Sequence, residues 1–169
     1  MKKSEEVINK QLYFFYKKDK INRIEIEDRF RSFFFHPRLF KLKLHPGSFF
    51  LYLFWFVFSF GRYRIFYIVD EKSGIIAHYS NILPKIFKYA FMNKDDWYIA
   101  NCYTDSKFRG CRLYSFALFD IANKMKGTTI WGGTRDNNIP SIKGLDRAGY
   151  KKVSRGYKTN FFGIYKLYE

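Results

Sequence analysis

Between residues 97 and 126 the sequence changes its apolar period once, and that change dictates a layered architecture. Trp97 to Thr104 (WYIANCYT) is rich in aromatic and β-branched residues and predicts a strand. From Lys107 to Lys126, Leu113, Ala117, Ile121 and Met125 recur every fourth residue, with Tyr114, Leu118 and Ala122 beside them. That spacing lines one face of a helix. Lys124 and Lys126 suit the negative end of its dipole, and Gly127 is placed to end it. A strand that runs into an amphipathic helix buries both apolar faces when helices pack on a sheet.

The punctuation on either side extends this reading. Downstream, Thr128–Trp131 predicts a short strand, and a helix runs from an Asn138 cap, with Pro140 in its first turn, to Gly149. The strands Tyr150–Val153 and Phe161–Tyr168 follow. Upstream, Tyr63–Val69 and Ile75–Tyr79 flank the polar turn Asp70–Gly74 as a hairpin, and residues 82–95, with Pro84, read as a connection. A helix from about Ser48 to Phe60 ends at Gly61. Residues 19–47 are ambiguous, with turns marked by His36-Pro37 and His45-Pro46. Glu5 to Lys18 starts as helix and finishes as the strand Leu12–Tyr16. The expectation is an α/β (α+β) fold, a mixed sheet with helices packed on it. No internal repeat or low-complexity linker divides the chain, so residues 1–169 read as a single domain.

Composition narrows the partners. Thirty-one Lys and Arg against 15 Asp and Glu give a net charge of +16, and 22% of residues are aromatic. Nucleic acid, an anionic membrane surface and a phosphate-bearing small molecule all fit such a chain. A genome rich in A and T raises Lys, Ile, Phe, Tyr and Asn together, and such a bias is the competing account of most of the excess. Cys102 and Cys111 make no disulfide framework, and with His36, His45 and His78 they match no compact zinc spacing, so no metal is expected. No apolar stretch follows Met1-Lys2-Lys3 at signal-peptide distance, which points to the cytoplasm. Phe49 to Phe58 is an unbroken apolar run, shorter than the ~20 residues of a spanning helix. It reads as core, or as a surface that enters a membrane interface while Lys41, Lys43, Arg62 and Arg64 meet anionic head groups.

The strand at 97–104 enters its helix through Arg109-Gly110-Cys111-Arg112-Leu113-Tyr114. The first amides of a helix have no internal partner and sit at its positive end, so this turn is a physical anion site. Arg109 and Arg112 add charge and paired donors suited to phosphate.

Over roughly residues 60–169 the chain resembles the GNAT acetyltransferase superfamily. The residues that carry the resemblance are Thr104-Asp105-Ser106-Lys107-Phe108-Arg109-Gly110, Asn138-Ile139-Pro140-Ser141 and Ala148-Gly149-Tyr150. In that family a strand leads into a turn of the form Arg/Gln-x-x-Gly-x-Gly/Ala whose amides hold the pyrophosphate of acetyl-CoA. The resemblance implies a mostly antiparallel central sheet flanked by helices. It implies an acyl-CoA-dependent N-acyltransferase that uses acetyl-CoA, or another acyl-CoA, and a small amine. The cofactor residues it implies are Cys102, Thr104, Arg109, Gly110, Cys111, Arg112, Leu113 and Tyr114, with Asn138 and Ser141 downstream. Arg112 and Tyr114 stand where the family has small residues. The aromatic at 114, the Asn138-x-x-Ser141 pattern and the run Gly144-Leu145-Asp146-Arg147-Ala148-Gly149-Tyr150 are similar to members encoded with bacterial surface-polysaccharide genes, which implies an amino-sugar or nucleotide-sugar acceptor.

The family's tyrosine acid, seven residues after the Asn, is Leu145 here, so in an active enzyme Tyr103, Tyr114 or a water substitutes, or the thiolate leaves without help. His78 titrates in a range suited to a base and Asp105 is its rival. Two alternatives remain open at this point: an inactive GNAT fold that binds a membrane or partner, and a basic nucleic-acid-binding module.

Overall fold

The computed structural model of the chain describes residues 11–160 and 163–168. Eight strands form one sheet: β1 (Leu12–Lys18), β2 (Phe30–Phe35), β3 (Arg64–Asp70), β4 (Ile75–Pro84), β5 (Trp97–Thr104), β6 (Ile130–Arg135), β7 (Tyr150–Lys158) and β8 (Tyr165–Leu167). The α-helices among the described residues are α1 (Phe49–Phe58), α2 (Leu113–Lys124) and α3 (Ile139–Arg147). The spatial order is β2-β3-β4-β5-β6-β1-β7-β8. Neighbours pair antiparallel except β5 and β6, which run parallel.

Both faces of the sheet are covered, which is why β3 (RIFYIVD) reads as a continuous apolar run instead of an alternation. Phe66 and Ile68 join Ile82, Ile99, Leu113, Ala117, Leu118 and Ile121 under α2 and α3. Ile65 and Tyr67 face the opposite way, into an aromatic layer with Tyr52, Trp55, Tyr63, Leu83, Tyr98 and Trp131 under α1. Trp131 Nε1 donates to the buried carboxylate of Asp96 at 2.8 Å, which gives the indole its polar partner inside that layer.

Several boundaries differ from the expectation. The ambiguous stretch 19–47 contains edge strand β2, held to α2 by Ser32, whose hydroxyl donates to Asp120 at 2.7 Å. β4 extends through Pro84, so residues 82–84 are strand and not connection. β6 runs on to Arg135 through two glycines, and β7 to Lys158 because β1 and β8 flank it. The expected helix from Lys107 begins six residues later: Ser106–Phe108 is a single 3-10 turn, and Gly110 (φ 90°) and Arg112 (φ 59°) are left-handed and break the path. Helix α1 starts on Ser48, whose hydroxyl accepts from the amide of Leu51, and ends at Phe58, after which Phe60 (φ 53°) and Gly61 (φ 69°) are both left-handed. The helical start expected from Glu5 to Lys10 and the strand start at Phe161–Phe162 lie outside the described residues.

The least expected placement is β1. It inserts between β6 and β7, antiparallel to both, and so joins the last third of the chain to the sheet. The loop that leaves it then seals the end of α3. Asn22 donates through its amide to Ala148 O at 3.3 Å and through its side chain to Arg147 O at 3.0 Å.

Candidate active site

The parallel pair β5–β6 holds register at Trp97↔Ile130, Tyr98↔Trp131 and Ile99↔Gly132, and β5 then continues to Thr104 without it. Here β5 carries a bulge. Two residues, Asn101 and Cys102, stand opposite Ser80 alone, and Asn101 has φ 45°. Asn tolerates that left-handed conformation better than most residues, and a bulge bends its strand. Asn81 Nδ2 pins it by donating to Asn101 O at 3.3 Å. The crevice at the carboxyl ends of the two parallel strands is flanked by the N-termini of α2, which follows β5, and α3, which follows β6.

The crevice is a cavity of about 420 Å³. Ten residues expected at the site line it: His78, Cys102, Tyr103, Thr104, Arg109, Gly110, Arg112, Leu113, Tyr114 and Ser141. Three others do not. Asp105 caps the 3-10 turn, its carboxylate accepting from the amide of Lys107 at 2.9 Å. Cys111 is half-buried behind the turn and packs against the core. Asn138 caps α3 by accepting from the amide of Ser141 at 3.3 Å, and so acts on the cavity through Ser141. Pro140, Gly144 and Arg147 also line it and were not expected. Their spacing of four and then three residues places them on one helical face, which is the signal that could have identified them.

The mouth is cationic. Arg112 is the N-cap of α2 yet makes no side-chain cap bond, so the amides of Leu113, Tyr114 and Ser115 keep the unpaired donors of a helix start. Arg109, Arg112 and Arg147 surround them and are exposed, and no ion pair among the described residues neutralises any of the three. Unpaired helix amides beside three guanidinium groups are the donor set that suits a phosphate-type anion.

The floor is a buried relay. His78 is fully buried, with Nδ1 2.7 Å from Thr104 Oγ1 and Nε2 2.8 Å from Ser80 Oγ. Ser80 donates in turn to Cys102 Sγ at 3.1 Å. Burial pushes the His78 pKa down to about 3 and the Cys102 thiol up to about 12, so both are neutral at ordinary pH. Tyr114 leans from the first turn of α2 onto Gly144 of α3, where an added Cβ would come within 2.4 Å of its ring. Its phenol bonds Ser141, and burial raises its pKa well above the usual tyrosine value. Leu145 is buried against Gly132, where no proton donor is possible. Tyr103 sits on the α1 side of the sheet, 47% exposed, its ring 5.6 Å from Tyr79, which stacks on His45 at 3.7 Å.

No protein-family model and no curated protein matches the sequence. Solved structures do match the fold. The chain is similar to a GCN5-related N-acetyltransferase from Sphaerobacter thermophilus, with a TM-score of 0.61 at 11% identity, covering 92% of this chain and 54% of that one. A GNAT-family acetyltransferase from Colwellia psychrerythraea gives 0.61 at 11% identity, covering 92% and 59%. The tandem GNAT protein from the clavulanic acid biosynthesis pathway gives 0.56 at 13% identity, covering 87% and 52%. The chain thus spans between half and three-fifths of these structures. Its fold is the GNAT fold, a mostly antiparallel eight-stranded sheet with helices on both faces.

Proposed function

We propose that the protein is an acyl-CoA-dependent N-acyltransferase that moves an acetyl or similar acyl group from the thioester to an amine. The observation that carries this reading is the opening of β5 from β6 onto an uncapped helix start ringed by Arg109, Arg112 and Arg147. The amides of residues 109–114 and these arginines would hold the pyrophosphate. Cys102 and Thr104, on the free side of β5, would flank the pantetheine arm. The likeness to GNAT acetyltransferases supports this assignment through the shared fold.

The chemistry needs the amine nitrogen to attack the thioester carbonyl, the C–S bond to break and the nitrogen to lose a proton. Tyr114 stays protonated and is the donor that would stabilise the leaving thiolate, in the role that Leu145 cannot fill. His78 holds Thr104 and Ser80 in place, since both ring nitrogens are engaged and its basicity is low. Tyr103 is the exposed phenol on the opposite face, where the amine would arrive and release its proton toward solvent. An amino sugar or nucleotide-linked amino sugar is the acceptor class to try first, on the resemblance carried by Asn138, Ser141 and the run 144–150.

Ligand binding to the folded state alone stabilises it by about 2.7 kcal/mol at a hundredfold excess over Kd, a rise in Tm of roughly 5–10 °C for a chain this size. Acetyl-CoA should produce that rise, and Arg109→Glu should remove most of it. If neither acetyl-CoA nor coenzyme A moves the Tm, the proposal is refuted. Binding without turnover on any amine would leave a scaffold that has kept its ligand and lost its chemistry.

A further inference from the structure

Helix α1 breaks the usual rule for a surface helix. All ten residues, FFLYLFWFVF, are apolar or aromatic, but Tyr52 and Trp55 are the ones it buries. Helices that are hydrophobic all round are ordinarily covered on every side. Here Phe50 is 79% exposed, and Phe49, Val57 and Phe58 also face outward. The turns that flank the helix repeat the pattern, with Phe40 98% and Phe60 91% exposed. These segments lie on one side of the sheet. Leu42 packs in the same cluster as Tyr52, Trp55 and Tyr63, and the Tyr63 hydroxyl donates to Leu42 O at 2.7 Å. Phe58 and Phe87 continue the patch, their rings 5.3 Å apart.

Charge identifies the occupant. Residues 30–69 and 72–94, which supply this face, contain no Asp or Glu. Lys43 and Lys88 set their ammonium groups over the Tyr52 and Phe54 rings at 5.6 and 4.8 Å, and Arg38, Lys41, Arg62 and Lys85 are exposed a residue or two along the chain from Phe40, Phe60 and Phe87. A second copy of the chain would set these cations against their own kind. An anionic lipid surface supplies the opposite charge and an apolar layer at the depth phenylalanine side chains reach. The helix is about 15 Å long, too short to cross a bilayer, and no helix among the described residues is long and apolar enough to do so.

We infer that α1, with the Phe40 and Phe60 turns, docks the protein in the plane of an anionic membrane. The Tyr103 face lies on the same side of the sheet: His45, stacked on Tyr79, has Nε2 2.8 Å from the Tyr52 hydroxyl of α1. Docking therefore turns the proposed acceptor face toward the bilayer.

The test is co-sedimentation with vesicles of phosphatidylcholine alone, or with about a third phosphatidylglycerol, at low and high salt. The anionic vesicles should bind at least tenfold more protein, with the excess falling at high salt. The double variant Phe50→Ser/Phe60→Ser should lose about tenfold in vesicle binding, and Lys41→Glu/Arg62→Glu a similar factor on anionic vesicles. Both alter exposed side chains, so an unchanged Tm and an unchanged response to acetyl-CoA should accompany the loss. This separates the docking surface from the proposed acyltransferase site. Three outcomes overturn the inference: no binding to anionic vesicles, wild-type binding by the Phe50/Phe60 variant, or a stable dimer that the same variant converts to monomer.

Discussion

His78 offers a measurement that decides its chemical role without a substrate. In the folded chain its ring is buried between Thr104 and Ser80, and burial holds its pKa at about 3. In the unfolded chain it titrates near 6.5. Between those values the unfolded state binds a proton that the folded state does not, so acid favours unfolding. The stability at stake is intact above about pH 6.5, is lost as pH falls below it, and stops changing near pH 3. At pH 5 the loss is about 2 kcal/mol, one and a half pH units at about 1.4 kcal/mol each. At roughly 2–4 °C per kcal/mol for this size, Tm should drop by about 4–8 °C from this group alone.

Other groups titrate in the same window, so the readout is a difference. Tm is measured near pH 7.5 and near pH 5 for the wild type and for His78→Asn. The variant should be less stable near pH 7.5, because Ser80 and Thr104 lose a buried partner at about 1–3 kcal/mol, and the gap should close toward pH 5. Its drop on acidification should be smaller than the wild type's by about 4–8 °C. His45, pushed down to about 4 by burial and by Lys43, adds a drop of its own that persists in the variant. Equal drops in the two proteins would mean that the His78 ring is solvated and free to take a proton, and the positioning role would have to be given up.

Two further outcomes follow from close contacts. Tyr114→Phe keeps the ring on Gly144 and removes the hydroxyl, so kcat should fall by about 100-fold with KM for acetyl-CoA nearly unchanged; an unaltered kcat would exclude the phenol as the thiolate's donor. Gly149→Ala places a Cβ 1.7 Å from Lys20 O at a φ of 85°, so it should cost on the order of 3 kcal/mol or more, seen as a Tm loss of several degrees. A variant as stable as the wild type would show that the Lys20–Asn22 loop does not rest on the end of α3.

The strand–turn–helix of the cavity was legible because its signals are local: an apolar period, a glycine in the turn and a cap at Asn138. What escaped depends on partners far away in the chain. β2 (FRSFFF) lacks the alternation of a half-buried strand, since Phe33 and Phe35 pack against Tyr67 and Phe34 against Phe66 on the other face. β6 reads as ending at Trp131 because Gly132 and Gly133 have poor strand propensity, yet Gly133 leaves room for a buried phenol and Gly132 packs closely on Leu145. A Cβ at Gly133 would lie 1.9 Å from the Tyr98 hydroxyl, and one at Gly132 would lie 3.0 Å from Leu145. The central position of β1 is set by pairing with strands more than a hundred residues away, which no window of sequence contains.

The departures from the family pattern, read separately, look like losses, and the structure couples them. Tyr114 occupies a position where the family has a small residue, and its ring fits because Gly144 on the facing helix has no side chain. The next residue, Leu145, is where the family's proton donor would stand, and it is buried on Gly132. The proposed proton donor thus stands on α2 instead of α3, facing the same gap, and Gly144 on α3 leaves room for its ring. The turn shows the same exchange. Arg112 adopts the left-handed conformation that a glycine would take for free, at a strain of order 1 kcal/mol, and in return sets a guanidinium beside the unpaired amides of α2. The paired placement of Tyr114 with Gly144, and of Arg112 with the bare helix start, supports the proposed thioester site.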